Sequence, residues 1–447
     1  MKENNRQIFN STLYETNEEV KNQALEYSMF TWSPQKHIKT IAVKYASGCY
    51  YWDYSDKKYF DLCSQLTCVN IGHGNQKVQA AIKRQAETVS FVKPKFTTDV
   101  RGAAAEMIIL EFAPANMRKV LFSLGGAESN EYAIRMAQTV TGRPKVLSQY
   151  NSYHGSTYGA ANLTGEARRN SGFYPAPGYV HFFGPASKDR LGDFFKHEEE
   201  ESAFYLKILE EQLICENPAT VAAIFIEAIT GGNGVIVSPK SYIKGVRRLC
   251  DKYGILMVID EVLTGFGRTG KAFAIQHYDV EPDMITFAKG VTSAYLPLGG
   301  VILNGKLSNY YDEVGVPIGC TYNSHPMSCA AALANMEVIL EENLITKCNQ
   351  RGELLKQGLE QLVQKHQCLK ERRGLALLQG LKMQDMFCNR KVLTKVFKLF
   401  AENGYPTNGN EGIILFAPPF IVTEKEIESI IETADRIFGE MDEYIHE

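Results

Sequence analysis

The ten cysteines of this chain contain no C-x-x-C pair, and its nine histidines form no H-x-x-x-H or comparable ligand cluster. The usual spacing of a metal hydrolase is missing, and no metal site is expected. The cysteines are scattered, several inside apolar stretches, and read as buried, reduced thiols of a cytoplasmic protein. No apolar run approaches the ~20 residues that span a bilayer. The opening MKENNRQIFN is polar, without the apolar centre of a signal peptide. Neither sign of charge dominates: 48 Lys and Arg stand against 51 Asp and Glu, net -3, which gives no reason to expect nucleic acid or an anionic membrane as partner. Internal repeats, low-complexity tracts and disordered linkers are missing too. These absences leave a soluble intracellular protein.

What is present is ordinary in composition and long enough for a large core. At 447 residues, 45% hydrophobic and 22% charged, the chain predicts two or three domains, or one large α/β domain with a smaller partner. Near the start, TNEEVKNQALEY offers Thr16 as a helix cap, and FTWSPQ breaks the pattern at Pro34. IAVKYASGCYYWDYSDKKYFDL reads as short strands turning at Ser55 and Asp56, and SQLTCVNIGHGN as a loop. NQKVQAAIKRQAETV reads as a helix with Val78, Ile82 and Ala86 on one face.

From about residue 100, helices and strands alternate, which argues for a mostly parallel sheet. Strands are expected at residues 119–123 and 145–148, in VAAIFIEA ending at Glu227 before a Gly231-Gly232 turn, and at residues 299–303. The helix YIKGVRRLCDKY puts Val246, Leu249, Cys250 and Tyr253 on one face, with Gly254 as its C-terminal cap. TGEARRNSGFYPAPG is a turn-rich segment, and HEEEES (197–202) reads as a solvated loop leading into a helix. Beyond Pro326, a long helix, charged helices and one short strand, LALLQGLKM, predict a smaller α+β domain.

The chemistry gathers between Gly254 and Lys289. GILMVIDEV is a buried-strand pattern ending in Asp260 and Glu261, and DMITFAKG is a second apolar run that delivers Lys289. An α/β sheet presents reactive groups at such strand ends. A lysine there can form a Schiff base with an aldehyde cofactor, and a carboxylate can hold a pyridinium protonated. That pairing is what pyridoxal phosphate (PLP) requires. Upstream, KVLFS leads into Gly125, Gly126, Ala127 and a helix, a candidate anion site where small residues admit a phosphate to free helix N–H groups. Tyr153 follows another strand, where its ring can stack on a planar cofactor, and His154 beside it reads as structural.

SLGGAESNEYAIRMA, YNSYHGSTYGA, FIEAITGGNG, VIDEVLTGFGRTG, ITFAKGVTSAYLPLGG and CTYNSHPMSCAAALA follow one another in this chain. In that order and spacing they resemble the class III aminotransferases, PLP enzymes of the aspartate-aminotransferase fold (fold type I). The similarity extends from about residue 40 to the C-terminus. It implies a large, mostly parallel-sheet PLP-binding domain at 76–325, a small α+β domain at 326–447, and an N-terminal segment, 1–75, joining the small domain. Carried over residue by residue, Lys289 would be the Schiff-base lysine and general base, and Asp260 the partner of the pyridine nitrogen. Gly126 and Ala127 would hold the phosphate, Tyr153 and Val262 the two ring faces, with His154 and Glu227 bordering the cofactor. Thr321 would reach the phosphate in a neighbouring subunit, which implies a homodimer with shared active sites, able to pair into a tetramer.

Two departures bear on the substrate. Leu263 stands where the family often has a glutamine near a ring oxygen of the cofactor. Leu415, in GIILFAPPF, stands where members that use glutamate carry an arginine, and leucine supplies no bidentate carboxylate clamp. Arg168, Arg169 and Arg268 are the candidate cations in its place. FTWSPQ, FDLCSQLTCVNIGHGN and TFAKGVTSAYLPLGGV look most like a subgroup acting on ω-amino acids, taurine aminotransferases included, in which Trp32, Gln65 and Leu66 would border the substrate. The expected reaction is ping-pong transamination of taurine with 2-oxoglutarate or pyruvate. The alternatives are β-alanine, GABA or a diamine as donor, or an aminomutase or racemase of the same fold.

Overall fold

The computed structural model describes residues 14–170, 175–185, 194–231 and 233–444, the side chains of Arg168 and Arg169 excepted. Met1–Asn10, Gly232 of the expected glycine turn and part of TGEARRNSGFYPAPG lie outside the described residues. The helix Asn17–Tyr27 starts as expected: Thr16 accepts from the Glu19 N–H and the Glu19 carboxylate accepts from the Thr16 N–H, a reciprocal cap. Three antiparallel strands follow, β1 (Val43–Ser47), β2 (Tyr50–Asp53) and β3 (Lys58–Phe60). Asp53 Oδ1 accepts from the N–H groups of Ser55 and Lys57 and so closes the turn between the last two. The helix Gln76–Thr88 forms, but Ala86 is exposed and Gln85 is buried in its stead beside Val78. Gln85 tolerates burial because its Nε2 donates to Val89 O at 2.9 Å.

The central sheet has seven strands: β4 (Met117–Ser123), β5 (Lys145–Gln149), β6 (Tyr179–Phe182), β7 (Val221–Ile226), β8 (Leu256–Asp260), β9 (Met284–Phe287) and β10 (Gly299–Asn304). Their order is β4-β10-β9-β8-β7-β5-β6, with β10 antiparallel to both neighbours and every other pair parallel. Every residue of β7, β8 and β9 is buried, as near-continuous apolar strands covered on both faces should be. Gly254 ends the helix Lys240–Tyr253 at φ 60, in the left-handed conformation expected of it. The acidic run is not a loop: the helix Glu198–Cys215 carries Glu198 to Glu201 in its first turn, with Glu201 and Ser202 buried. The positive end of the helix dipole favours carboxylates there.

The C-terminal part also departs from the single expected strand. LALLQGLKM straddles a turn at Ala376 (φ 48) between β11 (Leu369–Leu375) and β12 (Leu378–Met383), and β13 (Ile413–Phe416) completes an antiparallel sheet. The helices Pro326–Glu341, Leu344–Lys365, Arg390–Glu402 and Glu424–Tyr444 surround it. One hydrophobic cluster runs unbroken from Ile259 and Phe287 in the large sheet to Leu381 and Phe438 here. All ten cysteines are free thiols; six are buried and Cys215 is exposed. No described helix is long and apolar enough to cross a membrane, and no three described His, Cys, Asp or Glu side chains are placed to hold a metal.

Candidate active site

The carboxyl ends of β4, β5, β7, β8 and β9 lead to one cavity of about 900 Å³, whose walls include Gly125, Tyr153, Glu227, Asp260 and Lys289. Asp260 closes β8 and is buried. Its Oδ2 accepts from Asn130 Nδ2 and meets His154 Nδ1, each at 2.7 Å, and its Oδ1 accepts from the Val262 N–H at 2.9 Å. The second N–H of Asn130 goes to His154 O at 2.8 Å, and Thr286 Oγ1 donates to Asn130 Oδ1 at 2.8 Å. Each polar atom of that amide is committed, so Asp260 is held in one orientation. His154 lines the cavity and, through Nδ1, helps aim that carboxylate.

Lys289 lies two residues beyond β9 with φ 40, an uncommon conformation for a side-chain-bearing residue and one often found at working sites. Its side chain lines the cavity. Burial pushes its amine below the ordinary lysine value, with Cys68, Asp260 and Glu227 pulling the other way. Glu227, just past β7, accepts from the N–H groups of Tyr153 (2.9 Å) and Gly231 (3.0 Å), so it ties the loop after β5 to the loop after β7. Burial pushes its carboxyl up to about 7. Glu261 shares that fate, also at about 7, but serves elsewhere. It takes the Thr264 hydroxyl and the N–H groups of Ala274 (2.9 Å) and Ile275 (2.7 Å), and does not line the cavity.

The helix Gly126–Thr141 points its first turn at the same space. A Cβ on Gly126 would come within 2.6 Å of Val262 Cγ1, so a side chain there would collide with Val262, two residues beyond Asp260. Gly155, at φ +137, lets the Tyr153 loop lie against the helix start, since a Cβ would sit 2.6 Å from that of Ala127. These residues fit PLP. A glycine-walled helix N-terminus suits a phosphate, an oriented carboxylate a protonated ring nitrogen, and a desolvated amine an aldehyde.

The remaining candidates divide. Trp32 (61% exposed) and Leu66 (57% exposed) line the cavity at exposed positions, and Leu263 and the buried Leu415 line it as well. Gln65 is exposed and does not line the cavity; its N–H is held by Asp61 Oδ1 at 2.7 Å, at φ 59 and ψ -101. Thr321 is exposed, outside the cavity of its own chain. Arg168 and Arg169 lie on the short turn Ala167–Asn170, their side chains outside the described residues. Arg268 does not serve as a substrate cation. It is 0% exposed, and its guanidinium donates to Leu377 O (3.1 Å), Pro418 O (2.7 Å), Ser64 Oγ (3.1 Å) and Asn70 Oδ1 (2.7 Å). It pins the N-terminal segment to the C-terminal sheet, and burial lowers it to about 10.

Sequence reasoning missed Asn130, Asn233 and Asn410. Asn130 lies one helical turn beyond Gly126, so helix spacing alone places it on the cavity side. No sequence signal marks the other two, which meet across 177 residues, Asn410 Nδ2 donating to Asn233 Oδ1 at 3.2 Å.

The family model for class-III aminotransferases matches residues 31–438. The chain is 31% identical over 405 residues to a putrescine–pyruvate aminotransferase of Pseudomonas aeruginosa, covering 87% of this chain and 88% of that one. It is 33% identical over 408 residues to an acetylornithine aminotransferase of Methanocaldococcus jannaschii, covering 88% and 92%. Among solved structures, a taurine:2-oxoglutarate aminotransferase from Bifidobacterium kashiwanohense, in complex with PLP and glutamate, superposes with a TM-score of 0.92 at 40% identity, covering 96% of this chain and 98% of that one.

Proposed function

This chain belongs to the class III aminotransferases, enzymes that carry PLP, and we propose that it moves the amino group of an ω-amino acid, taurine first among them, to 2-oxoglutarate or pyruvate. The observation that carries the reading is the joint placement of Lys289, a three-donor Asp260 and the Gly126 helix start around one cavity. Taurine as the donor is supported by the likeness to the Bifidobacterium kashiwanohense enzyme.

When bound, PLP supplies the electron sink that makes the carbon bearing the amine acidic. The chain supplies the rest. Gly126 and Ala127 would hold the phosphate, Tyr153 and Val262 would confine the ring, and Asp260 would keep a proton on the ring nitrogen. Lys289 Nζ, its amine lowered by burial, would take the proton from the donor carbon as general base. Glu227 fixes the Tyr153 loop. The donor would leave as an oxo compound, its oxygen taken from water, before the 2-oxo acid enters to receive the nitrogen, and the same residues would then act in reverse. Trp32, Leu66 and Arg168 border the substrate in this reading. Thr321 reaches the phosphate across a homodimer, and the chain divides at 1–75, 76–325 and 326–447.

A diamine donor is the second reading. It is favoured by the lining: among the described residues Lys289 is its sole lysine or arginine, while Glu166 and Glu411 belong to it. The test is the visible absorbance of the PLP-loaded protein as taurine, β-alanine, GABA and putrescine are added singly. Bleaching by taurine, reversed by 2-oxoglutarate, supports the proposal. Bleaching by putrescine alone moves the donor to the diamines.

A further inference from the structure

The cavity's described walls offer no guanidinium or second ammonium, yet they hold one buried hydrogen-bond donor that nothing uses. Asn233 is 5% exposed and lines the cavity, and its Nδ2 has no partner among the described residues. Its orientation follows from its neighbours. Asn410 Oδ1 accepts from the Glu411 N–H at 3.1 Å, which turns the Asn410 Nδ2 toward Asn233. That donor calls for an acceptor, so Asn233 presents Oδ1 to Asn410 and keeps Nδ2 for something else.

The loop that carries Asn233 is braced against movement. Ile229 and Val237 form an antiparallel bridge, and the Thr230 N–H donates to Ile236 O at 3.0 Å. The Ile236 N–H returns to Thr230 Oγ1 at 3.0 Å, while Glu227 holds the Gly231 N–H. Leaving a buried amide donor unsatisfied is costly, and such costs persist where a ligand removes them.

We propose that Asn233 Nδ2 donates to an acidic oxygen, sulfonate or carboxylate, at the end of the donor far from its reacting amine. This deepens the ω-amino-acid reading and rests on it. The acidic end is recognised by a neutral amide, oriented by Asn410, in the neighbourhood where Leu415 removes the option of a guanidinium clamp. A neutral donor grips an anion less firmly than arginine does, and it accepts the tetrahedral sulfonate as readily as the planar carboxylate.

The test uses the PLP-loaded enzyme and four donors: taurine, β-alanine, propylamine (the same reach with no acidic end) and putrescine. A non-reacting probe, isethionate (taurine with a hydroxyl for its amine), is followed by calorimetry. In Asn233→Ala, the preference for taurine and β-alanine over propylamine is expected to fall about 10- to 100-fold, with isethionate weakened in parallel. Asn233→Asp places a carboxylate against the acidic end and is expected to reduce that preference further while raising putrescine. Asn410→Ala, at an exposed position, is expected to act in the same direction as Asn233→Ala and less strongly, and it carries the test if the Asn233 variants fail to load cofactor. If the wild type prefers the acidic donors and the variants keep both that preference and isethionate affinity, the assignment of Asn233 is overturned alone. If the wild type shows no preference for acidic donors over propylamine, the ω-amino-acid reading falls and takes this assignment with it.

Discussion

Asn130 Nδ2 donates to Asp260 Oδ2 at 2.7 Å, and the remaining atoms of that amide are spent on His154 O and the Thr286 hydroxyl. In the proposed reading, a carboxylate so oriented would act on the ring nitrogen without reorganising. Asp260→Asn is therefore expected to lower turnover by about a hundredfold or more while cofactor still binds. Asn130→Ala, which frees the carboxylate without removing it, is expected to cost about tenfold. Single-turnover rates with a fixed donor check both. Equal losses in the two variants would mean that Asn130 does more than aim Asp260.

Lys289 is lowered by burial, and the consequence can be read in the apo-protein. Its folded value lies below the unfolded one, so the native chain sheds that proton first. The penalty is fully present below the folded value and is relieved as pH rises toward the ordinary 10.5. The rate at which apo-protein captures PLP is expected to climb with pH through a midpoint below 10.5. A midpoint at the ordinary value would contradict a desolvated amine.

Glu227 and Glu261 are both raised to about 7 from an ordinary 4.5. Here the folded value lies above the unfolded one, so the native chain holds these protons longer. Their contribution is greatest below about 4.5 and is lost as pH rises through about 7, on the order of 3 kcal/mol for each group. Glu227→Gln is expected to remove about half of that slope in apo-protein denaturation curves and to leave the Glu261 half. A slope unchanged by the substitution would place the proton elsewhere.

Arg268 separates a structural role from a substrate role. Arg268→Met strands four acceptors that the guanidinium now serves, and is expected to destabilise the chain by roughly 3 kcal/mol or more. Denaturation and steady-state kinetics are read together. A large rise in KM for the 2-oxo acid with stability intact would restore Arg268 as a carboxylate clamp.

Elements whose local pattern agreed with their surroundings were legible in the sequence. VAAIFI and LMVID are buried throughout and read as buried strands, and Thr16 and Gly254 cap helices as their types demand. The poles Asp260 and Lys289 were legible because strand ends in such a sheet are where chemistry sits. β11, LKERRGL, was not, because an edge strand half open to solvent carries charge instead of alternation. Nor could the sequence show that Arg268 is buried, since its partners come from residues 64, 70, 377 and 418. Asn233 acquires meaning only from Asn410, at a distance along the chain that no periodicity covers.

The central claim is that Lys289 is the amine that binds the cofactor's aldehyde. Borohydride reduction of the PLP-loaded protein, digestion and mass spectrometry test it most directly. The expected result is a single pyridoxyl adduct on the peptide carrying Lys289, abolished in Lys289→Ala. An adduct on a different lysine, or the same adduct pattern in Lys289→Ala, would contradict the account from the cavity outward.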